Sequence, residues 1–286
     1  MSDASNDPAN FCYRHPDRQS FVLCQRCGRT ICPECQTQAA VGVHCPVCLA
    51  EARQTAPRRK PAILTAVRRG TRADSPAVTY GIIALCALVF LAQYVTGGPS
   101  TGTVTQDLIY FPPWTQFEPW RMMTTLFLHG SILHIALNMY SLLIFGQILE
   151  RAVGRWRYLA LYLLSGLGGS VGVLLIAPGI AVLGASGAIF GLLGAFFVIQ
   201  RRLGGNSVQL MVVIGLNLVA GFIIPGIAWQ AHVGGLLVGG LVALVLVKTP
   251  QPRQRNQQVL VLIGVLVGLV VITIAGVAWL PARLIG

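Results

Sequence analysis

The 286-residue chain is 54% hydrophobic and only 10% charged, with a mean hydropathy of +0.67. That balance excludes an ordinary soluble domain and indicates a polytopic membrane protein with a small polar appendage. The net charge of +12 does not signal nucleic acid, because the basic residues gather in the N-terminal segment and at alternate ends of the apolar runs, where topology signals lie.

Seven of the eight cysteines fall within residues 12–48, and the eighth, Cys86, lies in an apolar run. The cluster reads Cys12-x2-His15, Cys24-x2-Cys27, Cys32-x2-Cys35 and Cys45-x2-Cys48. Four two-ligand knuckles supply enough ligands for two closed tetrahedral Zn2+ sites, with no position left for a reactive water. The first 60 residues are polar, with no signal peptide ahead of the first span. The module is therefore expected in a reducing cytosol, where clustered cysteines mean metal rather than disulfides. The alternating spacing resembles B-box-like cross-brace fingers. That resemblance implies one ion on Cys12, His15, Cys32 and Cys35, and the other on Cys24, Cys27, Cys45 and Cys48. His44 is left over and could replace one of the last cysteines. Residues 10–50 thus form a metal-stapled module too short for a large core of its own. It could also bind a cytosolic protein, but nothing in it names the partner.

Residues 51–76 make a basic linker carrying Arg58-Arg59-Lys60, Arg68-Arg69 and Arg72, suited to anionic lipid heads. Apolar runs follow over Val78–Val95, Met122–Leu149 (opening as a loop around His129-Gly130), Trp156–Ile176, Ser186–Ile199, Val208–Ile224, Ala228–Val247 and Gln258–Leu280. Between the first two runs, Thr96–Arg121 is too broken to span, and its Trp114, Phe117 and Trp120 suit a membrane interface. The expected architecture is all-α. A core over 77–250 is followed by a seventh span and short tail over 251–286.

Basic residues at Arg151/Arg155/Arg157, Arg201/Arg202 and Lys248/Arg253/Arg255 share a side with the N-terminal segment. The positive-inside rule puts that side in the cytosol and the C-terminus outside. Arginine outnumbers lysine in an Ala/Gly-rich chain, a bias of high-GC bacteria, so the expected location is a bacterial inner membrane. Counting back from the basic ends at about 1.5 Å per residue, Ser186 lies roughly 22 Å up its run, His232 roughly 24 Å, Asn138 roughly 20 Å and His134 roughly 26 Å. Four polar residues on three spans fall in one layer of the outer half. Polar side chains at that depth are costly unless used.

A serine hydroxyl needs a base, and histidine is the usual one near neutral pH. Ser186 and His232 can pair if their spans pack closely, which Gly187-x3-Gly191 and Gly235-x3-Gly239 permit. His134 and Asn138, four residues apart on one helical face, and the Ser186 amide could serve as donors to an oxyanion. No carboxylate lies at this level to extend the pair. Phe190, one turn from Ser186, could offer a ring to the imidazole. Asn217 reads as an interhelical hydrogen bond, and Ser141, Ser165 and Ser170 as packing residues.

Gly184-Ala185-Ser186-Gly187, His129-x4-His134-x3-Asn138, Ala231-His232-x2-Gly235-x3-Gly239 and Glu118-Pro119-Trp120-Arg121 resemble the motifs of rhomboid intramembrane serine proteases. Asn138-x3-Leu142-x3-Gly146 and Glu150-Arg151 also fit. The resemblance covers Val78–Val247. It implies a six-helix core, here in a six-plus-one form, with Ser186 as nucleophile and His232 as general base. It further implies an oxyanion hole of His134, Asn138 and the Ser186 amide, supported by His129. Phe190 stands where some members carry tyrosine. The function expected is hydrolysis of transmembrane-helix substrates near their outer ends, with Val208–Ile224 and Pro225-Gly226 as a gate. Two rivals are a non-catalytic rhomboid-like scaffold and a metal transporter using His129, His134 and His232.

Overall fold

A computed structural model describes residues 7–39, 41–55 and 75–285. The linker basics Arg58, Arg59, Lys60, Arg68, Arg69 and Arg72 lie outside the described residues. The chain divides into two compact units, Met1–Lys60 and Pro61–Gly286.

In the first unit, β1 (Phe11–Cys12) pairs antiparallel with β2 (His15–Gln19), β3 (Thr37–Gln38) pairs with β4 (Val43–His44), and α1 (Pro46–Thr55) follows. Its core is Ile31 surrounded by six of the cysteines, with Tyr13 and Val43 packed against them. So little apolar material cannot offset the chain entropy of ordering the unit, and the thiols must contribute more than packing.

The second unit is helical. It comprises α2 (Ala77–Val95), α3 (Thr103–Leu108), α4 (Arg121–Thr124), α5 (Ile132–Val153), α6 (Arg155–Ile176), α7 (Ser186–Arg202), α8 (Val208–Ile223), α9 (Trp229–Lys248) and α10 (Arg255–Ile285). Five helices, α2, α5, α6, α9 and the last, are long and apolar enough to cross a membrane, while α8 is a shorter apolar helix. This is the expected all-α polytopic fold, and each of the seven apolar runs yields a helix, the second of them from Ile132 onward. The boundaries extend past the apolar runs at α7, which carries on through Arg201 and Arg202, and at α10. Backbone hydrogen bonding continues a helix beyond the residues that bury in lipid.

The centre of the bundle is α6, 67% buried over its most apolar stretch. Against it pack α7 and α9, and at these crossings glycine is needed for closeness. A Cβ on Gly235 would lie 1.9 Å from the Gly187 carbonyl oxygen, and one on Gly239 2.1 Å from that of Gly191. Backbones in contact at two successive turns fix the relative rotation of α7 and α9. Helix α5 loosens into one π turn over Leu142–Gly146. Near its far end the buried Glu150 carboxylate accepts the backbone N–H groups of Val78 (3.0 Å) and Thr79 (2.8 Å) and the Thr79 hydroxyl (2.7 Å). A side chain of α5 thereby satisfies the orphan donors at the start of α2.

The segment before α5 is irregular but tied down. Arg121 pairs with Glu118, donates to the Gln106 and Ile109 carbonyls, and sits over the Trp114 ring at 4.9 Å. Tyr110 and Val182 exchange backbone hydrogen bonds of 3.2 and 2.8 Å. At the start of α10, Gln258 accepts from Arg157 (2.7 Å) and donates to the Thr249 hydroxyl (2.8 Å).

Candidate active site and metal-ligand clusters

The loop into α7 is sewn to the segment before α5. Thr125 donates its hydroxyl to the Val182 carbonyl (2.6 Å), and the Gly184 N–H donates to the Thr125 carbonyl (3.0 Å). Gly184 adopts φ +128°, a conformation side chains rarely take, and a Cβ there would come within 2.8 Å of the His134 ring. Only glycine lets the chain turn there, against that imidazole, before Ser186 starts the helix.

Ser186 Oγ lies 3.0 Å from His232 Nε2. The His232 ring stacks on Phe190, centroids 4.1 Å apart and planes 7° from parallel. Among the described residues His232 Nδ1 has no hydrogen-bond partner. With Nε2 accepting from the hydroxyl, the neutral ring carries its proton on Nδ1. Packing against an aromatic face, rather than a carboxylate, sets the ring's orientation.

Facing this pair is the first turn of α5. Ser131 caps it, its hydroxyl accepting from the His134 N–H (3.1 Å). The Gly130 N–H donates to His134 Nδ1 (3.3 Å). With Nδ1 as acceptor, the neutral ring keeps its proton on Nε2, the atom beside Gly184. Asn138 donates one N–H to the His134 carbonyl (2.8 Å), leaving a second. His129 is fully buried, its ring edge-on to His134 with centroids 5.2 Å apart. Ser131, His134 and Asn138, with Ser186, His232, α8 and the loop through Pro225-Gly226, line a cavity of about 1080 Å³. The expected site residues Ser186, His232, His134 and Asn138 all border it. His129 stands behind them.

Asn217 is a correction. Its amide donates to the Val213 carbonyl four residues back (2.8 Å) rather than to another helix, and the exposed side chain borders the cavity. Ser170 holds the Met122 carbonyl (2.7 Å), so it does more than fill space. Sequence reasoning missed Gln93, a fully buried amide near the end of α2. Its visible signal was a glutamine inside an apolar run.

In the N-terminal unit the ligand atoms of Cys12, His15, Cys32 and Cys35 lie within 4.8 Å of one another, as do those of Cys24, Cys27, Cys45 and Cys48. These are the two expected groupings, and His44 belongs to neither. His15 Nδ1 is 3.3, 3.5 and 3.8 Å from the sulfurs of Cys32, Cys35 and Cys12, and the Cys27 and Cys45 sulfurs are 3.8 Å apart. A tetrahedron with bonds of about 2.3 Å has edges of about 3.8 Å, so each cluster could hold one metal ion. Burial opposes ionisation of Cys12 and Cys24, but backbone N–H donors bring both thiols down to about 6. Burial and neighbouring thiols push Cys35 up to about 11 and Cys48 to about 12. A divalent cation supplies the positive charge that would let the full set ionise.

The fold and the cavity define an integral membrane protein with a serine–histidine pair between two closely packed helices. The Rhomboid domain family model matches residues 116–249. The chain is 34% identical to the rhomboid protease GluP of Bacillus subtilis over 65% of its own length and 38% of that protein. It is 42% identical to RHOMBOID-like protein 5 of Arabidopsis thaliana over 47% of this chain and 46% of the relative. It is 33% identical to YdcA of B. subtilis, provisionally named a rhomboid protease, over 48% of this chain and 71% of that one. The chain belongs to the rhomboid family. It spans less than half the length of the first two relatives.

Proposed function

We propose that the chain is an intramembrane serine endopeptidase that hydrolyses peptide bonds in or near transmembrane helices of membrane-protein substrates. The observation that carries this reading is the 3.0 Å contact between Ser186 Oγ and His232 Nε2 at the edge of the cavity. Ser186 Oγ attacks the scissile carbonyl carbon while its proton passes to His232 Nε2. The negative oxygen is held by His134 Nε2–H, the free Asn138 N–H and the Ser186 backbone N–H. The C–N bond breaks as His232 returns the proton to the leaving amine. A water, deprotonated by the same nitrogen, then cleaves the acyl-serine and frees the hydroxyl.

A helical substrate hides its carbonyls, so it must unwind before cleavage, which favours Gly, Pro and small residues near the cut. Helix α8 and Pro225-Gly226, the least embedded wall of the cavity, are the gate in this reading. Two Zn2+ ions are the metals the N-terminal clusters suit, both structural. In this reading the membrane is a bacterial inner membrane, with the N-terminal unit on the cytosolic side and the C-terminus outside, an orientation that the distribution of basic residues favours.

The test is cleavage of a transmembrane reporter in proteoliposomes. Wild type should cut and be labelled by a fluorophosphonate, whereas Ser186→Ala and His232→Ala should do neither. Cleavage by Ser186→Ala at the wild-type rate would overturn the proposal.

A further inference from the structure

We infer that Gln93 is a positioning residue for the oxyanion side of the site, acting through the His129–Gly130 turn on the ring of His134. The inference rests on the acyl-transfer chemistry proposed above. Gln93 is fully buried near the end of α2. Its Oε1 accepts the backbone N–H of His129 (3.0 Å), and its Nε2 donates to the Thr105 hydroxyl (2.9 Å) and the Pro99 carbonyl (3.3 Å). These partners fix the amide's orientation, since a flipped amide would set N–H against N–H and C=O against C=O. Thr105 is itself fully buried and donates to the Pro99 carbonyl (3.1 Å). The end of α2, the loop leading into α3, and the distant turn before α5 therefore meet on one side chain.

That turn makes one polar and one ring contact to the His134 imidazole. Gly130, the residue after the one Gln93 grips, donates its N–H to His134 Nδ1, and the His129 ring lies edge-on to the His134 ring. The Gly130 bond leaves the proton on His134 Nε2, the atom beside Gly184. Without Gln93 the His129 N–H is buried with no acceptor, and the turn is free to move. His134 then loses its fixed tautomer and its aim, while Ser186 and His232, held by the α7–α9 crossing, keep theirs. The loss falls on stabilisation of the developing oxyanion, hence on kcat rather than substrate binding.

The experiment measures kcat and KM of the full chain in proteoliposomes on a transmembrane reporter. Gln93→Leu should lower kcat about tenfold, with KM within about twofold of wild type. In a His134→Ala background the same substitution should cost nothing further, because its route of action is gone. In an Asn138→Ala background the loss should persist. Gln93→Glu keeps an oxygen facing His129 but sets its other oxygen against the Pro99 carbonyl, so it should recover only part of the loss. If Gln93→Leu does not fold, Thr105→Val frees the other end of the amide and should lower kcat about threefold, again only while His134 is present. A wild-type kcat for the folded variant, or a loss that multiplies with His134→Ala, overturns the inference. Either result alongside an inactive Ser186→Ala fells the role of Gln93 alone, whereas an active Ser186→Ala fells the underlying chemistry as well.

Discussion

The rings of Phe190 and His232 lie nearly parallel, with centroids 4.1 Å apart. Phe190 sits one helical turn beyond Ser186 on α7, so a single helix presents both the hydroxyl that His232 would deprotonate and the surface that holds the imidazole flat. In a pair without a carboxylate, that surface substitutes for the orienting hydrogen bond.

Phe190→Leu should therefore keep the fold and slow the reaction. An aromatic contact of this kind contributes about 1 kcal/mol, which is about fivefold in kcat. Phe190→Tyr should restore the rate, because the stacking face is unchanged. Steady-state cleavage of a reporter by the three proteins checks both.

The glycine crossing of α7 and α9 should tolerate no side chain. Gly239→Val drives carbon into the Gly191 carbonyl and should destabilise the bundle by about 3 kcal/mol or more. Gly264→Ala on α10, where a Cβ meets open space, should change stability by less than about 0.5 kcal/mol. Equilibrium unfolding in mixed micelles distinguishes them.

Glu150→Ala strips the acceptor from two backbone N–H groups and the Thr79 hydroxyl at the start of α2. Losing a buried charge-assisted cap should cost about 3 kcal/mol. Glu150→Gln, with one acceptor oxygen, should lose less. Thermal unfolding of the purified variants reads the order.

Elemental analysis should find two zinc ions per chain, falling to one in a Cys24→Ser/Cys27→Ser variant. Protons compete with metal for thiolates, so zinc retention should fall as pH is lowered, not raised. Chelation should expose residues 7–55 to protease. Cleavage of the reporter should continue, since Ser186 and His232 belong to the other unit.

Much of this site was legible because basic residues mark where spans end, which turns residue counting into depth. Ser186, His232, His134 and Asn138 were singled out that way and border one cavity, and Phe190 followed from its spacing to the serine. The cysteine knuckles were legible because metal geometry demands ligands in close pairs. Asn217 was misread, as counting gives depth but not whether a neighbour faces the side chain. Gln93 was missed because its partners lie in loops, where no periodicity tells which backbone N–H will arrive. The continuation of α7 through Arg201 and Arg202 was hidden for a similar reason: polarity marks the lipid boundary, not the last helical hydrogen bond.

The π turn over Leu142–Gly146 carries one residue more than a regular helix would need. Below it Glu150 reaches α2, and above it His134 and Asn138 face the cavity. Removing one residue from the turn would swing one of these halves by about 100° against the other, sacrificing either the cap or the donors. The length of this stretch is thus under a constraint separate from that on its side chains. Insertions and deletions should be purged here even where they leave every buried side chain unchanged.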